Sequence, residues 1–390
     1  MICFLEVRKG LKKTQYAIKQ LFMIEKYAST WTFKETSTSF PSLIFFKKCL
    51  KKSFYSAFLT FACFFFVVLS FPGGLRGQGI DFTVRDPLAG IARDSWLRPD
   101  TTFHRSRFYL SAGVGAALYG AASVGLYHAW YADYERASLR SFNDWPEWNQ
   151  MDKAGHVFAA YMFNRYAFAG LRWSGMKRPA ARYTALAVAN LLQGTIEVMD
   201  GYSAEWGFSW SDMGANVAGS LFFTAQDIAW QEQRILIKVS NDLRPIPDLP
   251  IINGNGAESN LGYVVRDRFG SNIFERYLKD YNAQTIWLSA NPKAFLPKSN
   301  IPDWLNVAVG YGSENVYGAY GNSWREGNQG FFFPENRYRQ WFLSPDIYFS
   351  RIPTKKRWVR LALGILDFIK IPAPALEFSQ GRLKGHWMYW

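Results

Sequence analysis

Between Asp152 and Gly219, three apolar stretches each carry two polar residues four positions apart: Asp152/His156, Gln193/Glu197 and Asp212/Asn216. That spacing puts both members of a pair on one face of a helix. The surroundings are Ala, Val, Leu, Phe, Met and Gly, where an unpaired buried carboxylate or amide costs several kcal/mol. Such groups persist where they satisfy one another or hold something, so the pattern predicts a convergent polar centre. The candidates for chemistry are His156, Glu197 and Asp212; a histidine oriented by a carboxylate is a minimal acid–base or hydrolytic pair. Asp152, Lys153, Gln193, Asp200, Ser211 and Asn216 are the expected binding or network residues, with Lys153 and Arg165 suited to a phosphate or lipid headgroup. His156, Glu197, Asp212 and Asp152 are also metal-ligand types, but one histidine without a dedicated zinc or di-iron spacing predicts no metal and no other cofactor. The third use of such groups is a network that locks helices in register and reacts with nothing. With no complete catalytic signature present, that use has the most support.

The elements that must position these residues follow from hydropathy and breakers. Helices are expected over roughly Met151–Trp173, Ala180–Met199 and Ser211–Gln231, separated by Ser174-Gly175 and by the turn Asp200–Ser203. Asp152 suits the positive end of its helix, and Ser209 or Ser211 can cap the third. Gly219 continues the Asp212/Asn216 stripe, leaving room for another helix against that face. Ahead of these, Phe108–Ala132 contains no Asp, Glu, Lys or Arg. At ~1.5 Å per residue it reaches across a ~30 Å hydrocarbon core. Ala112, Ala116 and Gly120 give it a small-residue stripe, and Tyr127, His128, Trp130 and Tyr131 an aromatic end. The uncharged stretches Tyr183–Ile196 and Met213–Gln226 are shorter than a full span, which suits buried or interfacial helices.

The chain changes character around Pro245–Gly256. Beyond it, period-two runs over Trp304–Tyr311, Tyr338–Arg351 and Leu376–Trp390 read as strands, and Trp358–Ile369 as a short helix. The last run ends in an aromatic residue, as outer-membrane strands often do, but the runs are too few for an ordinary eight-stranded barrel. The expected fold is therefore mainly α: a membrane-associated, apolar bundle of about four helices over 108–244, then a smaller C-terminal α+β region with a few antiparallel strands over 245–390.

Net charge is +14, yet residues 1–52 hold eleven Lys or Arg against three Asp or Glu, eight of those fourteen charges. No basic stripe or nucleic-acid motif follows, so no nucleic-acid partner is expected. Lys47, Lys48, Lys51 and Lys52 instead precede the uncharged run Phe54–Phe71, which Pro72-Gly73-Gly74 ends. This is the make-up of an export signal, or of a retained anchor. Residues 1–79 thus read as an N-terminal extension with signal peptide or anchor, and 80–107 as an extended, Pro-punctuated segment. Cys3, Cys49 and Cys63 all fall in the first of these, and Thr60-Phe61-Ala62 is a poor lipid-attachment context. Removal of the signal would exclude disulfides, Cys nucleophiles and thiolate metal sites. Aromatic residues at 18%, with 16 Trp, suit a protein that meets a bilayer.

Phe142-Asn143-Asp144, Glu147-Trp148, the run Met151–His156, the run Gln193–Gly201 and the run Trp210–Asn216 together resemble the YfiM-like family. Its members are periplasmic or outer-membrane-associated (lipo)proteins of unknown function. The order D-K-x-x-H, then E, then D-x-x-x-N-x-x-G is similar, more distantly, to the VanZ-like membrane proteins. The resemblance covers about residues 108–233 and implies an envelope location, on the periplasmic face of a membrane and the outer one in preference, without implying a reaction. The functional expectation is an exported, non-enzymatic envelope component that binds membrane lipid or an envelope protein partner. The alternative is a membrane-proximal hydrolase of a lipid or phosphate ester, using His156 with Glu197 or Asp212.

Overall fold

Three helices in the middle of the chain carry the polar pairs, and each begins where local chemistry dictates. The computed structural model describes residues 100–127 and 135–390. The expected signal or anchor, the three cysteines, most of the 80–107 segment and His128–Tyr131 lie outside them. Helix α1 is Arg105–Leu126, α2 Met151–Trp173, α3 Arg178–Gly201 and α4 Trp210–Ala229. Pro179 sits in the first turn of α3, where its missing N–H costs nothing. Ser209 caps α4, its Oγ accepting from the Asp212 amide at 3.0 Å. α2, α3 and α4 pack through small residues, with Ala160, Ala181, Ala185 and Ala189 fully buried. At Gly219 a Cβ would run into the Val157 carbonyl, so glycine sets the closest approach of α2 and α4. Asp227 of α4, itself buried, ties in α3 by accepting from Arg182 Nε at 2.6 Å and Arg178 Nε at 3.0 Å. α1 lies along this group, its Tyr119 hydroxyl donating to Leu192 O at 3.0 Å, yet none of its residues is buried.

The C-terminal half corrects the expected fold class. It is mostly sheet, not a small α+β appendage to a mainly α protein. Six strands, β1 Ile235–Asn241, β4 Gln284–Ala290, β5 Leu305–Glu314, β8 Tyr338–Ile347, β9 Ala373–Ser379 and β10 Arg382–Tyr389, form one antiparallel sheet in the order β1-β4-β5-β8-β9-β10. Two small hairpins, β2–β3 (Pro250–Ile252, Glu258–Asn260) and β6–β7 (Ser323–Glu326, Gln329–Phe332), stand beside it with helices α5 Leu261–Phe269, α6 Ile273–Lys279 and α7 Pro292–Phe295. The remaining helix, α8, is Arg357–Leu366. β1 and β4 escape a period-two reading because they are buried on both faces and so do not alternate. The run Leu376–Trp390 is two strands, not one; Gln380 and Gly381 take positive φ of 48° and 73° and turn the chain back as a two-residue hairpin.

The sheet has two dissimilar faces. On one, Ile237, Val239 and Ile286 meet Tyr161, Met162 and Phe223 to form the core between helices and sheet. On the other, Trp287, Ala308, Phe342 and Ala375 pack under Tyr389, beside a fully buried ion pair, Lys238 Nζ to Asp346 at 2.8 Å. The backbone at Phe368–Lys370 hydrogen-bonds the outer edge of β1 through Val239. Asp367, just before it, holds Arg165 of α2 at 2.7 Å.

Candidate functional site

The turn into α2 is strained. Trp148, Asn149 and Gln150 all take positive φ, at 50°, 50° and 62°, a region that costs a non-glycine residue on the order of 1–3 kcal/mol. The sheet side holds them there. The Trp148 amide donates to Ala319 O at 2.8 Å, the Asn149 side chain donates to Ser313 Oγ at 2.9 Å, and the Tyr311 hydroxyl donates to Asn149 O. Asp152, Lys153 and His156 follow on the first turns of α2, and they point toward α3 and α4.

Lys153 is the hub. Its buried ammonium lies 2.8 Å from Asp144, 2.9 Å from Asp152 and 2.7 Å from Asp212. Asp144 also accepts from Ser209 Oγ at 2.6 Å and from the Ser211 hydroxyl, so the cap of α4 and the hub are one assembly. Asp152 accepts from the Tyr281 hydroxyl at 2.9 Å, a contact from the sheet side of the molecule. On α3 and α4, Gln193 Nε2 donates to Asn216 Oδ1 at 2.7 Å. That same oxygen lies 3.1 Å from His156 Nδ1, which must therefore carry a hydrogen. His156 Nδ1 is also 3.5 Å from Glu197, and its Nε2 is 3.7 Å from Asp152 and 3.8 Å from Asp212. His156, Glu197 and Asp212 thus converge, with Asp152, Lys153, Gln193, Ser211 and Asn216 around them. Asp200 stands one turn beyond Glu197 and acts on it through its charge.

Burial sorts the protons. Burial, then the charges of Asp200 and Asp152, push the Glu197 carboxyl up to about 8. Burial, the Asp152 charge and a hydrogen bond with Asp144 push Asp212 up as well. For Asp144 burial is the largest influence and works upward, but bonds from Asp212, Lys153, Ser209 and Ser211 outweigh it and hold the carboxyl low. Burial would lower Lys153, but the Asp152 and Asp212 charges raise it overall. Near neutral pH the centre therefore holds one ammonium, the ionised Asp144 and Asp152, and carboxyls on Glu197 and Asp212 that retain protons. Two unpartnered oxygens on the fully buried Glu197 agree with a carboxyl kept neutral.

Asp152 and His156 are half-buried while Glu197, Asp212, Asn216 and Gln193 are sealed. Solvent therefore reaches the centre at the Asp152/His156 end, while the Glu197 and Gln193 side is closed. Asp152, His156 and Asp212 offer donor atoms within 4.8 Å of one another, but the Lys153 ammonium already takes the cation position between the Asp152 and Asp212 carboxyl groups. The donor set fits a protein cation better than a metal ion. Sequence reasoning missed Asp144 and Tyr281 as members. Asp144 lies outside the helices that carry the polar pairs, within a motif quoted for its family likeness; Tyr281 carries no local signal at all.

Residues 142–225, the segment that carries this centre, match a protein-family model described as a predicted periplasmic lipoprotein, DUF2279. The match supports an exported, envelope location and a lipoprotein-like family of unknown function; it does not extend to the YfiM or VanZ likeness, nor does it choose between inner and outer membrane. No curated protein and no solved structure matches the chain.

Proposed function

We propose that the protein is a non-enzymatic, membrane-associated component of the envelope that binds lipid through its apolar helical surface, with the polar centre as the lock that keeps α2, α3 and α4 in register. One observation carries this: α1 runs 22 residues, bears no charge from Phe108 to Leu126, and buries none of its side chains. Tyr109 and Leu118 are both more than three-fifths exposed. An apolar stretch of that length left unburied by the fold matches hydrocarbon better than water. The mature protein, isolated after export, is expected in the membrane fraction and in detergent extracts of it. Recovery wholly in the soluble periplasmic fraction without detergent would sink the proposal.

A second reading has an observation of its own. His156 reaches solvent at the mouth of a cluster in which Glu197 titrates near 8, a useful value for a general acid or base. On this reading the protein hydrolyses a lipid or phosphate ester at the membrane surface. His156→Ala and Glu197→Ala, made separately, would then each abolish turnover of such esters while leaving the far-UV spectrum and melting temperature intact. Unfolding of both variants would return the centre to its role as a lock.

A further inference from the structure

The six-stranded sheet is inside out. A sheet with one wet face normally turns its polar residues to water and its apolar ones to the core. Here register places Lys238, Ser289, Asn306, Gln340, Asp346 and Glu377 on the same, inner face, and all six are buried. The opposite face meets the helices at β1 and β4 through Ile237, Val239 and Ile286; beyond that contact, on β5, β8, β9 and β10, it presents Val309, Trp341, Leu343, Leu376, Phe378 and Leu383, each roughly half exposed or more. Charge is sorted the same way. The acidic residues of these strands, Glu314, Asp346 and Glu377, fall on the inner face by register, and none falls on the outer one.

We infer that this outer face seats the protein in the hydrocarbon of one leaflet of an anionic bilayer, a second membrane surface independent of α1. The inference deepens the membrane reading above but rests on different residues. Polar-in, apolar-out alternation is the pattern of a sheet against lipid. From Leu305 to Tyr311 the outer residues of β5 cover roughly 20 Å. One end of the patch is bordered by Tyr311 and Trp341, whose rings lie 4.9 Å apart, and by the exposed Arg339, the aromatic and basic composition of a headgroup zone. α8 repeats the composition: Trp358, Leu361 and Ile365 face outward at helical spacing, with Lys355, Lys356 and Arg360 beside them. A negative surface complements both.

We read the sheet as lying on the membrane: among the described residues β10 ends the strand order with an open edge, and unpaired backbone is not tolerated inside hydrocarbon. Resting on one leaflet leaves that edge at headgroup depth, where water and the exposed Arg382 and Lys384 can serve it. Arg339 also donates to Gln150 Oε1 at 2.5 Å, two residues before Asp152. The mouth of the polar centre would thus lie at the level of the headgroups.

Spin labels test this in the full chain, with Cys3, Cys49 and Cys63 replaced by Ser, reconstituted into vesicles of phosphatidylethanolamine and phosphatidylglycerol. Leu343→Cys and Phe378→Cys report the outer face, Leu118→Cys reports α1, and Asn328→Cys in the exposed turn between β6 and β7 is the aqueous control; circular dichroism verifies folding of each. Labels at 343 and 378 are expected to gain oxygen collisions and lose nickel-chelate collisions several-fold on reconstitution, while 328 stays unchanged. Continued access of nickel chelate to 343 and 378 would overturn the inference. So would loss of both collision partners with dipolar broadening between labels, which would assign the face to a second copy of the chain. A label at 118 that enters hydrocarbon while 343 and 378 do not would defeat the sheet inference and leave the α1 proposal standing; the reverse pattern would do the opposite.

Discussion

Lys153 neutralises a set of carboxylates that could not otherwise share one buried space. Three carboxyl groups lie within 2.9 Å of its Nζ, and removing one member of a buried charge set typically costs about 3–5 kcal/mol, because the rest stay desolvated and unpaired. Lys153→Met is therefore expected to lower the urea midpoint by that equivalent, or to prevent folding, whereas Arg165→Met removes a different pair and should leave the titration of the centre unchanged. Glu197 yields a pH prediction whose sign is fixed by its displacement. Its carboxyl rises from 4.5 to about 8 on folding, so the folded state binds the proton more tightly. The stability this contributes is fully present below about pH 4.5 and is lost as pH climbs through about 8. Glu197→Gln cannot ionise. It is expected to match the parent near pH 4.5 and to exceed it at pH 9 by on the order of 1–3 kcal/mol, read as urea midpoints at the two values. A parent protein equally stable at both would show that Glu197 is not held neutral.

At the scale of elements, the lock works only because α2 and α4 approach closely enough for Lys153 to reach Asp212. Gly219 permits that approach, since a Cβ there would meet the Val157 backbone, which has no flexible end to move aside. Gly219→Ala should destabilise by about 1–3 kcal/mol through forced separation of the helices. Gly214→Ala, on the same helix with open space around it, should be neutral or slightly stabilising because alanine is the better helix former. Equal melting temperatures for the two variants would contradict the close-approach argument. The cap of α4 is coupled to the same centre: Ser209 serves both the Asp212 amide and Asp144. Ser209→Ala should then cost more than the ~1 kcal/mol of a simple cap.

For the whole molecule, the distribution of polarity matters more than any single contact. Apolar residues that a water-soluble fold would bury are outside, on α1, on α8 and on the outer face of the sheet, while Lys238 and Asp346 pair at zero exposure within it. Breaking that pair leaves a charge in an environment that already lowers the lysine through burial. Asp346→Leu is expected to destabilise by about 3–5 kcal/mol, whereas Leu343→Gln on the outer face should leave the chemical unfolding midpoint nearly unchanged and weaken only vesicle association. A large loss of stability from Leu343→Gln would mean that the outer face is a core in its own right.

Asp152/His156, Gln193/Glu197 and Asp212/Asn216 announced the centre because side chains four apart on a helix must share a face, whatever the helix packs against. For the same reason α2, α3 and α4 were legible to within about two residues at each end, from hydropathy, Pro179 and Ser209. That local logic cannot reach Asp144 or Tyr281, which join the centre from 8 residues before and 129 residues after Asp152. Nor can it reach β1 and β4, whose two buried faces erase alternation. The polarity of the sheet was invisible as well. Alternation reveals that two faces differ, but which one turns inward is decided only when the register of β5, β8 and β9 and the buried Lys238–Asp346 pair are in place. Spacing along the chain was thus enough to foresee a convergent, charged centre among three helices. Which carboxyls keep their protons there, and which side of the sheet carries the exposed apolar residues, came only with the folded arrangement, because both depend on neighbours brought together from distant parts of the chain.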